Sequence, residues 1–521
     1  MTGPQWAGRR VVVAGIAVSG FAAAGALVER GAQVVVVDER AGRAEREREA
    51  ILATLGARVR LGEGATATLP DVDGVAPDLV ITSPGWRPDQ PLLAAAAAAG
   101  VPIWGEVELA WRMRPATGAA PWLTLTGTNG KTTTVKLLTE MLTAAGRRAV
   151  AAGNVGTPLL EAVLHPDPFD VIAVELSSFQ LHWSHSLRPL ASACLNVAPD
   201  HVDWHGSYAG YLHAKGRVYE NTEVACVYNV ADPATEQLVR NAEVIAGCRA
   251  VGFTLGVPAV SMLGVVEDVL CDRAFVEQRR TSAAELGTLD DVRIAGGGTL
   301  APHTVANALA AAALARAYGV PATAVRDGLR GFTPDPHRIA RVAQAAGVTW
   351  IDDSKATNPH AADASLKAFD SVVWVAGGLA KGASFDDLVA AHAGRLRAVL
   401  LIGRDRDDIR EALRRHAPQV PAVDVDVAET GAVTTTPVGG DDPRLAGGQV
   451  LMDAVVTRAA ELAGPGDTVL LAPACASMDR FVSYGHRGDA FAVAVRRYLV
   501  DHHADDPADD PADPSPGAGE G

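Results

Sequence analysis

Short apolar runs, each bounded by glycine, proline or charge, recur along the chain. They alternate with longer stretches in which alanine and leucine return at helical spacing. The runs read as buried strands and the longer stretches as helices, and their alternation predicts an α/β architecture with mostly parallel sheets. The first series has strands at 9–15, 33–38, 79–82 and 101–104, with a helix over 21–30. Residues 114–121 (RPATGAAP) have the composition of a linker. A second series begins with the strand 122–126 and continues through 170–176, 192–197 and 223–230, closing where Gly and Pro cluster at 328–338. A third carries strands at 348–354, 372–378, 398–403 and 467–473, each followed by a helical stretch. Three domains follow: 1–117, 118–333 and 334–500. Residues 425–446 read as a loop, or at most a short strand with a long turn.

Composition supports this picture and narrows it. The 521 residues suit about three domains, and 48% hydrophobic against 21% charged residues is a folded balance. A net charge of −15 excludes a general nucleic-acid binder, whose footprint is basic. Seven acids and four prolines without a Lys or Arg fill 501–521, predicting a disordered acidic tail. Five cysteines without a C-x-x-C pair fit neither a disulfide framework nor a zinc site, and suit a reducing cytosol. The N-terminus lacks a secretory pattern and no apolar run approaches the ~20 residues of a spanning helix, so a soluble cytoplasmic protein, with no membrane partner, is expected. Only six of the 46 Lys and Arg residues are lysines: 131, 136, 215, 355, 367 and 381. Each invites the question of what an amine does there that a guanidinium cannot.

The strongest chemical signal is Thr126-Gly127-Thr128-Asn129-Gly130-Lys131-Thr132-Thr133, placed after a strand and before the helix predicted at 135–142. Glycines turn backbone N–H groups toward a phosphate, the helix N-terminus adds partial positive charge, and Lys131 reaches the β/γ-phosphates. Thr132 is placed to ligate Mg²⁺. Leu125 stands where the full P-loop pattern has glycine, so this is the shorter G-x-x-G-K-T form. The next strand ends in Glu175, an expected acidic partner of Mg²⁺, followed by Ser177-Ser178-Phe179-Gln180. Asn196-Val-Ala-Pro-Asp200-His201 follows a further strand, and Lys215 lies beyond it. His201 is a candidate metal or phosphate contact.

These segments together resemble the Mur ligases, ATP-dependent amino-acid-adding enzymes of peptidoglycan synthesis. The resemblance spans residues 9–495 and implies a Rossmann-like N-terminal domain, a central P-loop ATPase-type α/β domain and a C-terminal Rossmann-like domain. It implies that Lys215 is carbamylated by CO₂ and helps to hold a second Mg²⁺. An amine can form that carbamate and a guanidinium cannot. Thr132, Glu175, His201 and Lys215 would form the metal set, and Lys131, Glu175, His201 and Lys215 the catalytic one. In the C-terminal series, DSKATN around Lys355, Gly377-Gly-Leu-Ala-Lys381 and PACAS ending at Ser477 resemble the D-glutamate-adding branch of the family. Thr357, Lys381, Ser477 and Tyr484 would then contact D-glutamate, with Tyr484 standing where the family has Phe.

In the N-terminal domain, Gly15-Ile-Ala17-Val-Ser-Gly20 with Asp38 looks like a dinucleotide fingerprint, yet Ala17 replaces the glycine that admits a pyrophosphate. The resemblance assigns the domain to a uridine nucleotide instead, through Ser19, Asp38, Arg40, Ser83 and Gly85. Asn154 and Gln180 would touch the sugar–peptide portion. ATP would meet residues 127–133, Asn307, His337, Arg338 and Asp353. The family's His-Asn-x-x-Asn reads His303-Thr304-Val-Ala-Asn307 here, so only Asn307 is carried over. The implied substrates are UDP-N-acetylmuramoyl-L-alanine, D-glutamate and ATP, used by a monomer with two Mg²⁺ ions. Its carboxylate would attack the γ-phosphate to give an acyl phosphate, with a hinge at 331–336 allowing closure. A dehydrogenase built on the first domain is the rival from another class, and it leaves the P-loop unexplained. A different Mur ligase or a folylpolyglutamate synthase is the nearer rival. Lys355 has no assigned role.

Overall fold

The computed structural model describes residues 6–115, 117–295, 300–426 and 443–502. Packing divides the chain between Phe332 and Thr333 into two compact units, a boundary inside the segment expected to be a hinge. Three sheets are built on this frame, two in the first unit and one in the second.

The first sheet contains β1 (Arg10–Ala14), β2 (Gln33–Asp38), β3 (Arg58–Leu61), β4 (Leu79–Thr82) and β5 (Ile103–Gly105). Its order is β3-β2-β1-β4-β5, all parallel. The valine runs of β1 and β2 are almost wholly buried, as strands of a sheet covered on both faces should be. The strand order reverses between β1 and β4, which opens a crevice at their carboxyl ends.

The second sheet has nine strands: β6 (Trp122–Thr126), β7 (Ala149–Gly153), β8 (Val171–Glu175), β9 (Ala191–Cys194), β10 (Ala225–Asn229), β11 (Arg249–Phe253), β12 (Met262–Val266), β13 (Val269–Asp272) and β14 (Ala284–Thr288). β6 lies between β8 and β9, and the sheet is parallel from β7 to β12 before two antiparallel strands close the far edge. One apolar core runs beneath both sheets, joining Val11, Val34 and Leu109 to Trp122, Leu160 and Tyr211. The helix Glu106–Met113 ties them in polar terms as well. Glu106 accepts the Leu160 amide at 3.0 Å, and Glu108 accepts the His185 and Ser186 amides at 2.7 and 2.9 Å.

The second unit holds β15 (Ala340–Ala345), β16 (Val348–Asp352), β17 (Val372–Gly377), β18 (Leu396–Ile402), β19 (Ala422–Asp424) and β20 (Thr468–Leu471). The order β15-β16-β20-β17-β18-β19 is parallel except for β15. Two apolar clusters pack against its opposite faces, one around Leu366, Leu388 and Ile409, the other around Met452 and Phe491.

The strand alternation therefore holds, while the apolar pattern did not mark several edge strands or the interior strands β11, β12 and β13. The edge strands β3, Arg-Val-Arg-Leu, and β14, Ala-Glu-Leu-Gly-Thr, carry no continuous apolar run, and β13, between β12 and β14, is only four residues long. Within 425–446, residues 427–442 lie outside the described residues, while Pro443 opens a helix to Leu462 rather than continuing a loop. The last helix, Tyr484–His502, runs two residues into the expected tail, and 503–521 lie outside the described residues.

Candidate active site

β6 ends at Thr126, and the loop Gly127–Gly130 delivers the chain into the helix Lys131–Ala144. The helix starts four residues earlier than its apolar spacing suggested, because Gly130 turns the chain with φ 83°. A side chain at Gly130 would collide with the Asn307 amide oxygen, so this position needs glycine for its conformation and for its neighbour. Asn307 thus sits directly against the loop, as expected of a nucleotide contact. Lys131 Nζ donates to the Gly127 and Thr128 carbonyls, each at 2.9 Å.

A second residue braces the loop from the end of β9. Asn196 Oδ1 accepts the Asn129 amide at 2.9 Å, and Asn196 Nδ2 donates to the Asn129 carbonyl at 3.1 Å. The Thr128 hydroxyl bonds Tyr211 at 2.9 Å and accepts the Ala198 amide at 3.0 Å. Asn196 stood in the Asn-x-x-x-Asp-His pattern without a role, and the structure supplies one: it fixes the phosphate loop's curvature.

Lys215, on the helix Tyr208–Gly216, is 2% exposed. Its Nζ donates to the Gly127 carbonyl at 2.8 Å and the Thr126 hydroxyl at 3.3 Å, and lies over the Tyr211 ring. Burial first, then the Lys131 ammonium, pushes its pKa from 10.5 down to about 7. That makes it a largely neutral, nucleophilic amine at physiological pH. Glu175, at the end of β8, is 1% exposed; Oε1 accepts Asn154 Nδ2 at 2.9 Å, while Oε2 is buried with no hydrogen-bond partner. An orphaned carboxylate oxygen beside a P-loop strand is what a hard cation would satisfy. Asn154, expected at the sugar–peptide portion, is therefore also the residue that orients Glu175. Thr132 is buried in the helix's first turn. Among the described residues no three His, Cys, Asp or Glu side chains cluster as a metal cage. Magnesium commonly needs only one or two carboxylates besides phosphate oxygens.

His201 follows Asp200 in left-handed backbone, φ 50°, and opens the short helix Val202–His205. Its ring packs on Phe179, 4.7 Å between centroids, and Nε2 lies 3.6 Å from Asp200 Oδ2. His205 bonds Ser178 Oγ at 2.9 Å, and burial lowers its pKa to about 4, so it is neutral. Gln180 closes a capping box with Ser177, its Oε1 accepting the Ser177 amide at 2.9 Å.

At the crevice of the first sheet, Asp38 accepts the amides of Ile16 and Arg40 at 3.0 and 2.9 Å. Burial opposes its ionisation, but those amides and the Arg40 guanidinium hold it below the usual carboxylate range. Gly15, at φ 101°, passes so close to Ser83 that a Cβ would strike the Ser83 oxygen, itself buried without a partner. Ser19 lies in the first turn of the helix Val18–Glu29. The structure thus brings the 15–19, 38–40 and 83–85 segments together. The 83–87 loop also reaches the second sheet: Trp204 Nε1 donates to the Gly85 carbonyl at 3.1 Å, and Arg87 to the Asp203 carbonyl at 2.6 Å.

In the second unit, loops after β16, β17 and β20 share one sheet edge. Asp352 takes His337 Nδ1 at 2.6 Å, which raises the His337 pKa. Burial raises Asp353 to about 6, and Ser365 donates to it. The Arg338 Nε is buried without a partner. Lys381 is exposed in left-handed backbone, φ 53°, and Ser477 is buried. Thr357 donates its amide to the Lys355 carbonyl at 2.8 Å. Lys355 Nζ stands 5.2 Å from the centre of the Tyr484 ring, which gives that lysine a place beside a proposed substrate residue. Arg487 is wholly buried; Nε and Nη2 donate to Ser354 Oγ and O at 2.9 and 2.8 Å, and Nη1 to the Cys475 carbonyl at 3.2 Å. It holds the loops of Thr357 and Ser477 together, and nothing in an arginine-rich sequence marks it.

Three family models match: the MurD-like N-terminal domain of Mur ligases over residues 9–105, the Mur ligase middle domain over 125–315, and the Mur ligase glutamate ligase domain over 337–475. The UDP-N-acetylmuramoylalanine–D-glutamate ligase of Streptomyces avermitilis is 60% identical over 492 residues, covering 94% of this chain and 99% of the relative. The enzyme of that name from Streptomyces coelicolor is 57% identical, covering 94% and 98%. In fold, the chain is similar to the UDP-N-acetylmuramoylalanyl-D-glutamyl-2,6-diaminopimelate–D-alanyl-D-alanyl ligase of Acinetobacter baumannii, with TM-score 0.53, 16% identity and coverage of 89% and 90%.

Proposed function

The chain belongs to the Mur ligase family and adds D-glutamate in peptidoglycan precursor synthesis at the expense of ATP; from that premise we propose how its residues do so. Its substrates are UDP-N-acetylmuramoyl-L-alanine, D-glutamate and ATP.

The uridine nucleotide lies in the β1/β4 crevice, on Ser19, Asp38, Arg40, Ser83 and Gly85. Asn154 and Gln180 face the sugar–peptide portion. The phosphates of ATP lie on the 127–133 loop, where Lys131 leaves the Gly127 and Thr128 carbonyls for the β- and γ-oxygens. Two Mg²⁺ ions would be held through Thr132, Glu175, His201 and Lys215, and when bound they offset the repulsion between a carboxylate and a triphosphate. Glu175 Oε2, buried and unpaired, is the observation that carries this reading. Lys215 acts as its carbamate: the neutral amine attacks CO₂, a C–N bond forms, and the amine loses a proton. A buried ammonium would be inert to CO₂, so the low pKa is the chemical prerequisite.

With the anions aligned, the L-alanine carboxylate attacks the γ-phosphorus and ADP leaves, giving an acyl phosphate. The D-glutamate amine then attacks the acyl carbon, and phosphate departs as the amide forms. Thr357, Lys381, Ser477 and Tyr484 hold the amino acid through hydroxyl and ammonium donors that match its carboxylates. We read the protein as a cytoplasmic monomer. Separately, no helix among the described residues is long and apolar enough to cross a membrane.

An amino-acid panel tests the specificity. Phosphate release from ATP should require both UDP-N-acetylmuramoyl-L-alanine and D-glutamate. Equal release with L-glutamate, L-lysine or D-alanine would place the chain with a different ligase.

A further inference from the structure

The turn that carries His201 is short. His201 and Gly206 bracket it in left-handed backbone, φ 50° and 75°, and no residue of the helix Val202–His205 is buried. The Trp204 and His205 amides donate to the His201 carbonyl at 3.1 and 3.2 Å. A left-handed non-glycine residue costs about 1 kcal/mol or more and persists only where its surroundings enforce it.

Much of that enforcement comes from the other sheet. Trp204 packs against the apolar cluster of Val12, Val80 and Leu92, the core beneath β1 and β4. Its Nε1 donates to the Gly85 carbonyl, and its ring meets Phe179 at 4.8 Å and His205 at 4.5 Å. Arg87, two residues further along the same loop, donates to the Asp203 carbonyl. On the second sheet's own side, His205 bonds Ser178, the rings of His201, Trp204 and His205 all pack on Phe179, and His182 and Tyr211 meet the rings of Trp204 and His205.

We propose that Trp204, assisted by Arg87, is a positioning residue that couples the uridine-nucleotide loop to the His201 turn, so that filling the nucleotide crevice stiffens the turn before any chemistry. The coupling rests on the assignment of Ser83 and Gly85 to the nucleotide. Its physical basis is that the acceptor of Trp204 and the donor to Asp203 both belong to the 83–87 loop. Ordering that loop narrows the positions its partners can occupy, and the left-handed His201 is then held from both sides.

Hydrogen exchange on the full chain, with and without UDP-N-acetylmuramoyl-L-alanine and with neither ATP nor Mg²⁺, tests this. In the native protein the nucleotide substrate should slow exchange in the 83–87 loop and, by about tenfold, at the Trp204 and His205 amides. Trp204→Phe keeps an aromatic ring but loses the donor and the indole's second ring; it should retain ligand protection at 83–87 and lose it at 204–205. Arg87→Ala, at an exposed side chain, should give the same pattern more weakly. A residue that merely stabilised the fold would raise exchange equally with and without ligand. Binding confirmed by calorimetry without protection at 83–87 would overturn the nucleotide assignment itself. Protection at 83–87 with none at 204–205 in the native protein would overturn the coupling alone, as would full protection at 204–205 in Trp204→Phe.

Discussion

Replacing Lys215 by methionine removes a titrating group while keeping a similar apolar volume, and the structure sets the size of the effect. The unfolded chain holds the Lys215 proton up to about pH 10.5, whereas the folded chain releases it near 7. Between those values the unfolded state binds one more proton, so native stability gains about 1.4 kcal/mol per pH unit from this residue. Lys215→Met lacks that gain. Native stability minus that of the variant should therefore rise by about 2.5 kcal/mol from about pH 6.5 to about pH 9. The lost bonds to Gly127 and Thr126 add an offset to the gap without changing its slope. Urea unfolding in carbon-dioxide-free buffer at several pH values measures it. The same shift makes the amine several hundredfold more abundant in its neutral form at about pH 7.5 than an ordinary lysine. A gap that stays constant with pH would show an ordinary lysine at 215 and remove the physical case for its reaction with CO₂.

Three further outcomes follow from the geometry. Asn196→Ala removes both bonds to Asn129, and steady-state kinetics should show KM for ATP raised by about tenfold or more with KM for D-glutamate unchanged. Arg487→Met leaves the Ser354 and Cys475 carbonyls unpaired; it should cost the second unit about 3 kcal/mol in urea unfolding and raise KM for D-glutamate, with Arg487→Lys recovering only part because a point ammonium cannot span both loops. Asp352 raises the His337 pKa, so that pair's contribution is fully present below the usual histidine value of 6.5 and is lost as pH rises through the elevated one. Thermal melts of Asp352→Asn should lack that loss, and an identical pH profile would disprove the pairing.

The features legible in the sequence were those in which one short segment carries its whole meaning. The strand, loop and helix around Gly127–Gly130 lie in consecutive residues, and the six lysines stood out because arginine filled nearly every other cationic position. Relations between distant segments were not legible. That Asn307 presses on Gly130, that Asn196 braces Asn129, and that Arg87 meets Asp203 depend on the packing of strands far apart in the chain. Asn154 shows the same limit, since its side chain orients the distant Glu175, whereas the capping box of Ser177 and Gln180 follows the local S-x-x-Q spacing. The edge strand β14, Ala-Glu-Leu-Gly-Thr, escaped because an edge needs no continuous apolar run.

In the proposed mechanism the energy of ATP passes through the substrate's own carboxylate. UDP-N-acetylmuramoyl-L-alanine labelled with ¹⁸O in its L-alanine carboxylate tests it most directly. Turnover with ATP and D-glutamate should release inorganic phosphate carrying one ¹⁸O, read by mass spectrometry, because the acyl phosphate breaks at its acyl C–O bond. Phosphate free of label, with D-glutamate nonetheless joined, would contradict the mechanism.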